Sequence, residues 1–147
     1  MNQKLTIAFI AIIFIASSCR PEDDGQAKKE QLKNIVISYY NALADKDLQK
    51  ANNLTTTNFI FFDDGRIFNN AVAIDSVAQM GSFKFNTTID SLNVHVDRKD
   101  ASAYYFRSAE FTFKDSIHLS IRFLESATFN KIGDDWKLRF LNSTIRK

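Results

Sequence analysis

The sequence predicts an α+β domain, and three observations carry that reading. In the first half of the chain, apolar residues recur at helical spacing. From about Phe83 onward the spacing becomes period two. Clusters of Gly and Asp fall between the periodic segments, where turns belong. Helices followed by a run of long strands predict N-terminal helices packed on the concave face of a curved antiparallel sheet.

Composition bounds what such a domain can do. The chain has 147 residues, 45% of them hydrophobic, which is one domain's length with material for a real core. Lys plus Arg total 19 against 17 Asp plus Glu, a formal net charge of +2. That balance argues against nucleic acid as a partner. A single Cys and two His leave no disulfide scaffold and no His- or Cys-rich metal centre, so no metal is expected. No P-loop, dinucleotide fingerprint or Ser-His-Asp arrangement is present, and no cofactor is expected.

The opening segment reads as an address. Lys4 precedes an apolar run from Leu5 to Ala16, and Ser17-Ser18-Cys19 follows. A cationic start, a short apolar run and small residues at a cut site are the parts of a secretory signal. The run is too short for a membrane span of roughly 20 residues. Ile15-Ala16-Ser17-Ser18-Cys19 resembles a bacterial lipobox, with Ala16 in place of the usual Leu. That resemblance implies lipidation of Cys19, a membrane partner through the lipid, and a cell-envelope location, and Glu22-Asp23-Asp24 just behind the Cys resembles the surface-export signal of Bacteroidota lipoproteins. The expected division is 1–18 signal peptide, 19–27 lipidated Cys and polar tether, and 28–147 the folded domain.

Within the domain, Ala27 to Ala44 reads as a helix whose Leu32, Ile35, Val36, Tyr39 and Leu43 form one stripe. Asp47 is placed to cap a short second helix ending near Leu54. Phe59–Phe62 and Arg66–Phe68 read as a hairpin about Asp64-Gly65. Asn69 or Asn70 caps a third helix, stopped by Gly81. Strands are expected near 92–97, 101–113, 116–129 and 136–145, with turns at Arg98-Lys99-Asp100, Lys114-Asp115 and Gly133-Asp134-Asp135.

Alternation along these strands exposes polar residues on apolar faces, which is the informative case. Glu125 falls in register with Phe123, Ala127 and Phe129, and Arg107 with Tyr105 and Ala109. Trp136, Leu138 and Phe140 are expected inward, with Asn142 following them. Arg107, Asn142, Trp136 and Tyr105 are therefore the candidate pocket residues. Glu125 is read as a carboxyl with a raised pKa in an apolar pocket, as the partner of Arg107, or as a carboxylate satisfied by Asn142 and water. His95 and His118 read as outward. Phe106, Leu124 and Leu141 are expected on polar outer faces and mark a possible homodimer or partner surface.

Three segments carry a family resemblance. Tyr39 to Leu48 is an aromatic pair, then Ala-Leu, then a short acidic turn; Phe59 to Gly65 is a strand, Asp and turn; Gly133 to Leu138 is a Gly-polar-Trp-Lys-aliphatic strand entry. In this order they resemble the nuclear transport factor 2-like superfamily, including its ketosteroid-isomerase-like and SnoaL-like branches. The resemblance implies a cone-shaped fold from about Lys28 to the end and a pocket between helices and sheet. It also implies candidate catalytic roles: Tyr39 as an oxyanion donor, Asp63 as a general base and Glu125 as a second donor. The readings that follow are a small apolar or amphipathic ligand in the cone, an envelope interaction or dimerisation module, or an acid–base enzyme.

Overall fold

The structure, a computed structural model, describes residues 22–114 and 117–146. Cys19, the expected leader before it and the expected turn at Asp115 lie outside the described residues. Three helices come before or between the first strands: α1 (Glu22–Ala44), α2 (Leu48–Leu54) and α3 (Asn70–Gln79). The strands are β1 (Thr55–Asp63), β2 (Arg66–Phe68), β3 (Phe83–Val96), β4 (Asp100–Phe113), β5 (His118–Ile132) and β6 (Asp135–Ile145). They form one curved six-stranded sheet in the order β2-β1-β6-β5-β4-β3.

The local signals act as their chemistry requires. The Asp47 side chain accepts a hydrogen bond from Lys50 N at the start of α2, and Asn69 accepts one from Val72 N at the start of α3. Asp64 and Gly65 both take positive φ, +47° and +78°, and Asp63 lies opposite Arg66. Two consecutive positive-φ residues match the right-handed twist of the strands they join. Leu32, Val36, Tyr39 and Leu43 of α1 are buried against the sheet's concave face, with Phe59, Phe61, Phe129, Leu138 and Leu141 beneath and around them.

Four expectations need correction. First, α1 begins at Glu22, inside the stretch expected to be a tether; the helix nucleated further along continues back through Gly25, whose cost of about 1 kcal/mol is borne by the packed remainder of α1. Second, β1 and β6 pair in parallel, so the sheet is mixed. The intervening α3 and three long strands provide the crossover that parallel neighbours need. Third, β3 starts at Phe83, nine residues before Leu92. Its inward residues are Thr87 and Ile89 and then Leu92, because a bulge between Asp90 and Asn93, with Ser91 at φ +50°, flips the parity.

The fourth correction lies in β6. Thr128 pairs with Phe140 but Phe129 with Leu138, so Arg139 is an extra residue that reverses the alternation. Beyond it Leu141 and Ser143 are buried, while Phe140 turns outward and packs edge-on against Phe62 at 5.1 Å between ring centroids. Phe140 and Asn142 are thus on the outer face, not the inner one, and Leu141 is in the core, not on the surface.

Candidate functional site

Arg107 and Glu125 both point inward, as alternation predicts, and they meet. Arg107 Nε donates to Glu125 Oε1 at 2.7 Å, with both residues almost wholly buried. The Tyr40 hydroxyl and the Ser143 hydroxyl donate to the same oxygen, each at 2.8 Å. The Arg107 guanidinium lies between the Tyr40 ring, 3.7 Å from its centroid, and the Phe123 ring, at 4.1 Å. It also reaches Thr87 Oγ1 at 3.4 Å. A charge taken out of water needs such partners, and aromatic faces on both sides hold the planar cation flat.

Of the readings of Glu125, the structure holds the Arg107 ion pair, with Ser143 rather than Asn142 beside it. Oε1 is saturated by three donors, which makes Glu125 an acceptor that anchors Arg107. Its second oxygen, Oε2, is buried without a well-formed hydrogen bond, and so is the hydroxyl of Tyr105, its cross-strand neighbour, with which Glu125 interacts. Burial first, and then the Glu125 charge, pushes the Tyr105 phenol well above its ordinary pKa. The Tyr40 phenol is raised as well, with burial again the largest cause.

Over this floor opens a cleft of about 160 Å³ between the end of α1, α3 and the sheet. Leu43, Phe61, Phe85, Phe111 and Phe123 supply its apolar walls, and Tyr40 closes its base. Its charged lining residues are Asp63 and Arg107. Asp63 ends β1 half-buried. Burial raises its pKa, while Arg107 and then Arg66 pull it back. The carboxyl therefore holds its proton to higher pH than a solvated aspartate.

The sequence-derived candidates divide here. Asp63 and Arg107 line the cleft, and Glu125 lies beneath it. Tyr39 does not line it: its ring is fully buried against Phe59 and Phe61, and its hydroxyl has no partner. The residue that reaches Glu125 is Tyr40, one helical step away. Tyr105 and Trp136 are core residues outside the cleft lining, and Asn142 is on the outer face. Ser143 takes the place expected for Asn142, a consequence of the bulge at Arg139. Tyr39, Asp63 and Glu125 thus do not share one cavity. Tyr40 stands in the Tyr39-Tyr40 pair, but nothing in the sequence chose it over Tyr39, and Ser143 had no signal in the sequence. Among the described residues there is no group of three or more His, Cys, Asp or Glu arranged to hold a metal.

The geometry can be set beside known proteins. No family model and no curated protein matches the sequence. Solved structures do match. A putatively named dehydratase of the NTF2-like family from Streptomyces avermitilis superposes with TM-score 0.67 at 13% identity, over 84% of this chain and 99% of that one. The chain has the nuclear transport factor 2-like fold. An NTF2-like superfamily protein from Salmonella enterica agrees, with TM-score 0.67 at 14% identity over 84% and 94% of the two chains. So does the association domain of C. elegans CaMKII, with TM-score 0.68 at 17% identity over 83% and 98%. At these identities the NTF2-like likeness describes architecture, and function has to come from the site itself.

Proposed function

We propose that this chain is a lipid-anchored cell-envelope protein whose NTF2-like domain holds a small, largely apolar molecule in the cleft above Arg107. The observation that carries the binding reading is the cleft: phenylalanine-rich walls, with Asp63 and Arg107 as its charged groups. Apolar walls with a few placed polar groups are the usual make-up of a ligand site. Size narrows the class. About 160 Å³ is close to the ~150 Å³ engineered cavity that takes up benzene, and far below the span of a four-ring steroid. The expected ligand is one ring or a short branched chain with one polar group turned toward Asp63 and Arg107. Anchoring rests on Lys4, the apolar run and Cys19.

The test is a titration of the full chain, in detergent, with benzyl alcohol, indole and a steroid, followed by thermal shift and by amide NMR. Saturable binding of the single-ring and indole probes, lost in a cleft-filling Val77→Trp variant, is the expected result. Failure of every small probe, or binding that survives the filled cleft, overturns the reading. Radiolabelled acyl-chain incorporation that is lost in Cys19→Ser tests the anchor.

A second reading, an association module, has its own observation. Ile60, Tyr104, Phe106, Leu124 and Ile145 are 43%, 61%, 37%, 49% and 48% exposed on the outer sheet face or its end. An apolar area of this kind marks interfaces, and two of the similar structures are described as association and hub domains. Sedimentation of the full chain separates the readings: a stable dimer disrupted by Phe106→Ser favours association.

A further inference from the structure

On the outer face of the sheet, the pairing of β5 with β6 continues one residue past Ile145, where Arg146 N donates to Arg122 O at 2.8 Å. Arg122 and Arg146 are therefore direct cross-strand neighbours, and both side chains are exposed. Like charges in that position repel. Neither guanidinium forms an ion pair among the described residues. Arg146 is held over the Phe106 ring, 4.7 Å from its centroid, rather than swinging away into solvent.

We propose that Arg122 and Arg146 form an anion site whose ligand is a phosphoryl group, as free phosphate or a soluble phosphate ester. The two line one groove of about 510 Å³ together with Ser91 and Ser108. Ser108 lies directly opposite Arg122 on β4, and Ser91 is set at the β3 bulge by its positive φ of +50°. Two guanidinium forks and two hydroxyls offer donors from several directions. A carboxylate presents two oxygens in one plane, whereas a phosphoryl group presents three or more around a tetrahedron, which suits this spread of donors. Asp90 also lines the groove. Its negative charge opposes anion binding and favours an ester carrying fewer charges over a fully ionised phosphate. The groove opens on the outer side of the sheet; Arg107 and Phe123 line both it and the cleft, whereas Arg122 and Arg146 line the groove and not the cleft, so variants at these two arginines test it separately.

The experiment is an amide NMR titration of the full chain with inorganic phosphate, and in parallel with acetate, at constant ionic strength. Saturable shifts confined to Ser91, Ser108, Arg122 and Arg146 are expected with phosphate. Arg122→Gln and Arg146→Gln should each weaken binding about ten-fold, the size of one charge-assisted hydrogen bond. A second measurement reads the repulsion itself. In low-salt buffer without phosphate, each variant should melt above the parent, and phosphate should shrink that gain by stabilising the parent more than the variants. Shifts that never saturate, or that saturate in both variants at the same phosphate concentration as in the parent, overturn the site. Equal saturation by acetate overturns the phosphoryl assignment.

Discussion

The two faces of the β4–β5 ladder use the same residue types to opposite ends. On the inner face Arg107 and Glu125 are almost fully buried and bonded to each other, with Tyr40 and Ser143 completing the carboxylate's shell. On the outer face Arg122, one residue from Phe123 and three from Glu125, is exposed and without an ion pair among the described residues. Inside, charge is architecture: it fixes where Arg107 lies beneath the cleft. Outside, charge is available for a ligand. Burial, rather than residue identity, sets which of these a charged residue becomes.

The largest expected effect lies at the inner pair. Glu125→Ala leaves the Arg107 cation buried without its partner and should cost about 3–5 kcal/mol, read from urea unfolding. The double variant Arg107→Met with Glu125→Leu should recover most of that loss, because an apolar pair of similar volume avoids desolvating either charge. If the single variant cost no more than an outer-face substitution, the contrast between the faces would fail.

Next come the hydroxyls that complete the shell. Tyr40→Phe removes a buried hydrogen bond to a charged acceptor and should cost about 1.5–3 kcal/mol, and Ser143→Ala somewhat less, about 1–2 kcal/mol. Tyr39→Phe removes a hydroxyl that has no partner, so it should be neutral or stabilising. Comparing Tyr39→Phe with Tyr40→Phe by thermal and urea unfolding sharpens the assignment of adjacent tyrosines on one helix.

Asp63 supplies the pH dependence. Its folded-state pKa is raised, chiefly by burial, above the ordinary value of 3.8 that it regains on unfolding. The folded protein therefore holds this proton more tightly than the unfolded chain does. Stability from this group is fully present below the unfolded value and is lost as pH rises through the folded value. Asp63→Asn should accordingly flatten the fall in melting temperature as pH climbs from acid toward neutrality. A parent and variant with parallel pH profiles would remove Asp63 from the cleft's electrostatics.

How much of this was legible follows from what periodicity can and cannot encode. Caps and tight turns are local, so Asp47, Asn69 and Asp64-Gly65 announced their elements directly. Alternation placed Arg107 and Glu125 on one inner face because no bulge lies between them and the core of β4 and β5. It failed at Phe140, Asn142 and Leu141 because one inserted residue, Arg139, reverses every side chain after it, and nothing in Leu138-Arg139-Phe140 marks that insertion. The choice between Tyr39 and Tyr40 was beyond periodicity as well. Both are buried, and which of them faces Glu125 depends on how α1 is rotated over the sheet.

A small stability effect, and the one that separates the faces most cleanly, is at Leu124. It sits next to Glu125 in sequence but on the outer face, 49% exposed, opposite Phe106 and Thr144. Leu124→Ser removes little buried surface in an isolated chain, so its unfolding free energy should change by no more than about 0.5 kcal/mol. In an assembly that covers this face, the same substitution would place a hydroxyl in an apolar contact and weaken association by far more than it weakens the fold. Unfolding and sedimentation of Leu124→Ser, measured on the same samples, therefore distinguish a solvated face from a covered one. A large loss of stability that depends on protein concentration would mean that the outer face is structural too, and that the division between the two faces holds only for the single chain.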